Sequence, residues 1–171
     1  PAAVEVIAVV NNPADAPAEV VANNAHTLDL LRARRSDLRV LVLDRSSPGR
    51  AFGPRQAGVG LARRVGMDLA LARLVAAGAP ERAAIACLDA DSPVGPGYFD
   101  TLLDAFDRSA QPLGGVCECR HPIPADPDRA AAILAYETWM RTFELGLRLA
   151  GSPFSYPTVG SCLVASATGY A

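Results

Sequence analysis

IACLDADSP, residues 85–93, is an apolar run that ends in two carboxylates, Asp89 and Asp91, with one small residue, Ala90, between them. A short apolar run bounded by loop-forming residues is expected to be a buried strand. Carboxylates at the end of such a strand are costly unless an arginine, a group of backbone amides or a metal ion compensates them.

Working outward, similar strands lie on the N-terminal side. Residues 4–10 (VEVIAVV) form a β-branched run closed by Asn11-Asn12-Pro13. Residues 38–43 (LRVLVL) form a second run, followed by the loop-forming DRSSPG of residues 44–49. A helix is expected over residues 19–35. The loop after the second strand extends through residues 51–58, which hold Gly53, Pro54 and Gly58. Leu61, Val65, Leu69 and Ala72 recur at helical spacing and place a helix over residues 59–77, ended by Gly78 and Pro80.

Beyond the aspartates, Phe99, Leu102, Leu103 and Phe106 mark the inward face of a helix over residues 98–109. A strand follows at residues 116–119. The longest helix, residues 128–149, carries an apolar stripe of Ile133, Tyr136, Met140, Phe143 and Leu147. Glu137, Arg141, Glu144 and Arg148 run down another face as two i, i+4 pairs. A last strand is expected at residues 160–165.

Strands alternating with helices imply an α/β fold with a mostly parallel central sheet flanked by helices. In such sheets ligands bind beyond the carboxyl ends of the strands. Three of those ends are polar here: Asn11-Asn12, Asp44, and Asp89-Ala90-Asp91.

Composition narrows the chemistry. The 171 residues suffice for one domain, half of them are hydrophobic, and the net charge is -2. That charge gives no general attraction to nucleic acid or acidic membranes. All 16 basic residues are arginine, which excludes a lysine Schiff base and the lysine of a P-loop. No stretch has the length of a membrane span and no signal peptide is visible. Cys117 and Cys119 lack a usual zinc spacing, so the four cysteines, with Cys87 and Cys162, are expected to be free buried thiols in a cytoplasmic protein.

Paired carboxylates at a strand end suit Mg²⁺ or Mn²⁺, which take hard oxygen ligands and complete their shell with water and substrate phosphates. The plainer reading has one aspartate capping a helix and the other facing water. Asp44 can accept from a base or ribose hydroxyl, or cap a turn. Gly58-Val59-Gly60-Leu61-Ala62-Arg63-Arg64-Val65-Gly66 opens a helix with glycines that admit a ligand and arginines that pair with phosphate. Arg63 stands where a dinucleotide fingerprint needs its third glycine, so the segment is not that fingerprint.

In order and spacing, the first strand with Asn11, Leu41-Val42-Leu43-Asp44-Arg45-Ser46-Ser47, Gly60-x-Ala62-Arg63-Arg64-x-Gly66 and Asp89-Ala90-Asp91 resemble the nucleotide-binding half of the family 2 glycosyltransferases. The resemblance spans nearly the whole chain and implies a Rossmann-like GT-A fold. It implies a metal-assisted, inverting transfer of a sugar from a nucleotide-diphosphate donor to the hydroxyl of a saccharide or lipid-linked acceptor. By the same resemblance Val9, Val10 and Asn11 line the base, Asp44 contacts it, and Arg63 or Arg64 lies near the diphosphate. Asp89 touches the ribose or the metal, and Asp91 holds the metal. Ala8, Val10 and Arg45-Ser46 depart from the family's usual proline, aromatic and Asp-Gly, which leaves uridine and guanosine donors both open.

Tyr136 to Arg141, Ala150 to Pro153 and Val159 to Cys162 resemble the acceptor side of a bacterial subgroup. There an acidic motif follows and supplies the base. Since no Asp or Glu follows Glu144, the base is expected beyond Ala171, in a domain incomplete at its C-terminus. His121 is a substitute base, an extra ligand or a structural histidine. Two alternatives stand beside the transferase. One is a noncatalytic nucleotide-binding or interaction module of the same fold. The other, an aspartate-nucleophile phosphatase, is disfavoured because Pro93 occupies the position of its Thr or Val.

Overall fold

The computed structural model describes residues 4–79, 81, 83–108, 114–116, 121–156 and 163–171. The chain opens with a βαβ unit. Strand β1 (Glu5–Asn11) pairs in parallel with β2 (Arg39–Arg45), with α1 (Ala18–Ala33) between them. The register sets Val10 against Asp44 and Asn11 against Arg45, so the two polar strand ends lie level. Helix α1 rests on both strands through Leu28, which is almost fully buried.

Helix α2 (Val59–Ala76) packs on β1 and also touches β3 (Ala84–Ala86). Ala62 is buried, and Leu61, Val65 and Leu69 are half-buried, while Ala72 faces solvent. At Gly66 the helix comes so close to β1 that an added Cβ would lie 3.1 Å from the Val9 Cγ2. The helix ends at Gly78, whose φ of 70° is the left-handed conformation that glycine adopts without a Cβ penalty.

Three short strands form a second sheet in the order β3-β5-β4. Strand β5 (Leu163–Ser166) runs antiparallel to both β3 and β4 (Gly114–Val116), and α3 (Tyr98–Arg108) lies between β3 and β4 in sequence. The architecture is thus mixed α/β. The expected mostly parallel sheet holds for β1 and β2, with one isolated parallel bridge from Pro13 to Phe52; the other two strand pairings among the described residues are antiparallel. Helix α4 (Pro127–Leu149) lies between β4 and β5 in sequence, and β5 takes the central place in this sheet.

Most expected elements lie within a few residues of their predicted bounds. Residues 117–119 and 160–162, expected to be strand, lie outside the described residues. A helix not expected from sequence, α5 (Ala167–Tyr170), follows β5 directly; the Ser166 hydroxyl accepts from the Gly169 amide at 2.9 Å and caps it.

Helix α4 starts at Asp126, whose carboxylate accepts from the Arg129 amide at 2.8 Å, and Pro127 takes the first-turn position where a missing N–H is tolerated. Both expected Glu–Arg pairs form, Glu137–Arg141 at 3.4 Å and Glu144–Arg148 at 3.1 Å. The apolar stripe does not bury as expected. Ile133, Met140 and Leu147 are half-buried, but Tyr136 and Phe143 are exposed and stack on either side of Trp139. No helix among the described residues is long and apolar enough to cross a membrane.

Candidate functional site

Side-chain amides tie the carboxyl end of β1 to α1, and the Asn12 backbone amide donates to the Arg45 carbonyl of β2 at 3.3 Å. Asn12 is buried, and its side chain donates to the Pro13 carbonyl at 2.8 Å. Asn24, reaching back from α1, donates to the Asn12 side-chain oxygen at 2.9 Å and to the Asn11 carbonyl at 3.1 Å. The loop after β2 returns to this edge. Phe52 is buried there, and its amide donates to the Asn12 carbonyl at 3.1 Å. The Arg45 guanidinium lies 6.0 Å from the Phe52 ring centroid, and its Nε is buried without a partner among the described residues.

Asp44 sits inside this edge, its side chain 6% exposed. Its Oδ1 accepts from the Ser46 and Ser47 amides, each at 3.0 Å, and from the Ser46 hydroxyl at 3.2 Å. Its Oδ2 accepts from the Ser47 hydroxyl at 2.6 Å, with Arg32 at 3.6 Å and Arg50 at 3.7 Å. Burial alone would push the carboxyl up; the hydrogen bonds from Ser47 and Ser46 outweigh it and hold the group well below the ordinary carboxylate range. Asp44 therefore stays ionised and shapes the turn that closes the strand end.

The glycine-led start of α2 faces β3. Arg63, in its first turns, places one terminal nitrogen 2.6 Å from the Asp89 Oδ1. The Nε of the same guanidinium is buried and has no partner among the described residues. Asp89 is half-buried, and its carbonyl accepts from the Ser92 amide at 3.0 Å, so Asp91 rides on the turn and is exposed. Beneath them Cys87 is free and buried; burial pushes its thiol up, with nearby Arg63 acting in the opposite direction and Asp89 in the same one. The other three cysteines lie outside the described residues.

Of the sequence-predicted residues, the structure joins Arg63 to Asp89 and sets Asn11 level with Arg45, beside Asp44. Val10 is buried and Val9 packs under α2 at Gly66. Arg64 turns elsewhere: its Nε lies 3.8 Å from Asp68, which also accepts from the Tyr170 hydroxyl at 2.7 Å. His121 is bound to α4, its Nδ1 2.6 Å from Glu137, whose carboxyl this contact holds below its ordinary range. Sequence reasoning missed Asn24, Phe52 and the half-buried Arg45 stacked near it. It had a usable signal for Arg64, since Asp68 four residues on is the natural helical partner.

Among the described residues no group of three or more His, Cys, Asp or Glu side chains surrounds a common point. Asp89 and Asp91 are oxygen donors of the kind that Mg²⁺ or Mn²⁺ takes when substrate phosphates complete its shell, with Oδ1 of Asp89 held by Arg63. A cavity of about 230 Å³ lined by Val4, Val94 and Tyr98 lies at the start of β1 and includes none of these residues. Comparison of the chain with protein-family models, curated proteins and solved structures found no match to any of them.

Proposed function

We propose that the chain is a glycosyltransferase domain that binds a nucleotide-diphosphate sugar along the strand ends and transfers the sugar to an acceptor hydroxyl on a saccharide or lipid-linked acceptor. One observation carries this reading. Arg63, on the glycine-led start of α2, is paired with the first of two carboxylates at the end of β3, and α2 packs on β1, whose polar end is level with that of β2.

A diphosphate needs cationic partners and an open backbone approach, and Gly58, Gly60 and Arg63 supply both. Asp91 and Asp89 would hold Mg²⁺ or Mn²⁺, which supplies charge stabilisation for the departing diphosphate. Asn11, Asp44 and the Arg45–Phe52 pair form the ledge on which the nucleoside rests. Arg64, paired with Asp68, is left out of the diphosphate contacts.

The test is the thermal midpoint with UDP, GDP, CDP and ADP, each with and without Mn²⁺, for the wild type and Asp91→Asn. Binding at one hundred times Kd adds about 2.7 kcal/mol, a rise of roughly 5–10 °C at this chain length. One nucleotide is expected to give a Mn²⁺-dependent rise that Asp91→Asn loses. No rise with any nucleotide overturns the reading.

A further inference from the structure

Arg63 holds Asp89 by a single terminal nitrogen at 2.6 Å while its own Nε is buried without a partner among the described residues. The guanidinium is thus half used. A planar guanidinium presents parallel donors that match two phosphate oxygens. The Nε is buried where it stands, so the guanidinium has to swing off Asp89 to meet a phosphate, and in doing so it brings both the terminal nitrogen and the orphaned Nε onto phosphate oxygens. A divalent cation arriving alone meets the opposite situation. While the pair stands only Oδ2 of Asp89 is open to it, beside the like charge of the guanidinium; taking Oδ1 as well breaks the pair and leaves a half-buried guanidinium with no anion.

We propose that the Arg63–Asp89 pair is a partner-exchange latch, in which an anionic diphosphate takes Arg63 and thereby frees Asp89 for the cation. Cation binding becomes conditional on the anion, and each ligand tightens the other by the same factor. The inference rests on the nucleotide-diphosphate reading above. It adds the order of events and the residue that enforces it. Asp91, exposed and carrying no ion pair among the described residues, offers a first weak contact in either state.

The experiment titrates Mn²⁺ into the protein and follows free Mn²⁺ by electron paramagnetic resonance. It is run without nucleotide and with saturating UDP or GDP, on wild type, Arg63→Met and Arg63→Met/Asp89→Asn. Arg63→Gln replaces Arg63→Met should the latter not fold by circular dichroism. Without nucleotide, Arg63→Met is expected to bind Mn²⁺ about fivefold tighter than wild type, the scale of a partly exposed ion pair. The gain should vanish in the double variant, and nucleotide should tighten Mn²⁺ less in Arg63→Met than in wild type. Equal or weaker Mn²⁺ binding by Arg63→Met, with wild type still taking Mn²⁺ and nucleotide together, overturns the latch and spares the site. Wild type that binds neither Mn²⁺ nor nucleotide in any combination overturns the underlying reading and the latch with it.

Discussion

Replacing Asp44 separates a carboxylate that builds the strand end from one that only decorates it. The group accepts four hydrogen bonds, two from backbone amides and two from hydroxyls, with its side chain 6% exposed. Asp44→Asn keeps an oxygen where Oδ1 stands, so the Ser46 and Ser47 amides stay satisfied, and the Ser47 hydroxyl can turn to accept from the new amide. Asp44→Ala removes every acceptor. Hydrogen bonds to a charged group contribute roughly 1.5–3 kcal/mol each where donors are left buried, and less where water replaces the partner. The expected losses are about 1 kcal/mol for Asn and about 3 kcal/mol for Ala.

The acid dependence gives a second readout. The folded pKa of Asp44 is depressed, so its contribution is complete above the unfolded value near 3.9 and fades as pH falls toward the folded value. At pH 3 the wild type should have lost about 1 kcal/mol through this group alone, and both variants should lack that component. Urea unfolding at pH 7 and pH 3 measures both quantities. Equal losses for Asn and Ala, or an acid dependence unchanged in both, would be incompatible with a buried Asp44 carboxylate held by four donors.

Three further outcomes follow from backbone geometry and burial. Gly58 has φ 157° and ψ 167° ahead of α2, a region open essentially to glycine, so Gly58→Ala should cost about 1–3 kcal/mol in urea unfolding; Gly60→Ala, with nothing near its Cβ position, should not destabilise. Gly66→Ala gains roughly 1 kcal/mol of helix propensity but sets a Cβ 3.1 Å from Val9, so it should stabilise more in a Val9→Ala background than in wild type, and an additive double-mutant cycle would exclude the contact. In a variant keeping Cys87 as its single cysteine, the buried thiol with its raised pKa should react with a thiol reagent far more slowly at pH 7 than after unfolding; equal rates would place it at the surface.

Much of the fold was legible because period and punctuation agree locally. Residues 4–10 and 38–43 carry β-branched runs closed by Asn-Asn-Pro and Asp-Arg-Ser-Ser, and the strands lie there. What escaped depends on partners distant in sequence. The direction of β5 shows only in its pairing with β3 and β4, far off in sequence, and no residue in Leu163–Ser166 encodes it. Helix α5 is too short to show a period, and a Ser cap with Tyr170 bonded to Asp68 holds it. At the strand ends the polar residues were visible, but their pairing was not. Asn24 looks like any helix-surface asparagine until α1 is laid against β1, and Phe52 looks like a loop residue until its amide reaches Asn12. The choice between Arg63 and Arg64 is a matter of helical phase, since adjacent residues point about 100° apart.

Amide nuclear magnetic resonance of the ¹⁵N-labelled protein with Mn²⁺ and each of UDP, GDP, CDP and ADP reads the strand-end site residue by residue. Bound Mn²⁺ broadens the amides around it. One nucleotide is expected to bring broadening centred on Asp89 and Asp91 and fading through Arg63 and Asn12. Broadening centred on another part of the chain, or none with any nucleotide, would contradict a nucleotide-diphosphate site at the strand ends.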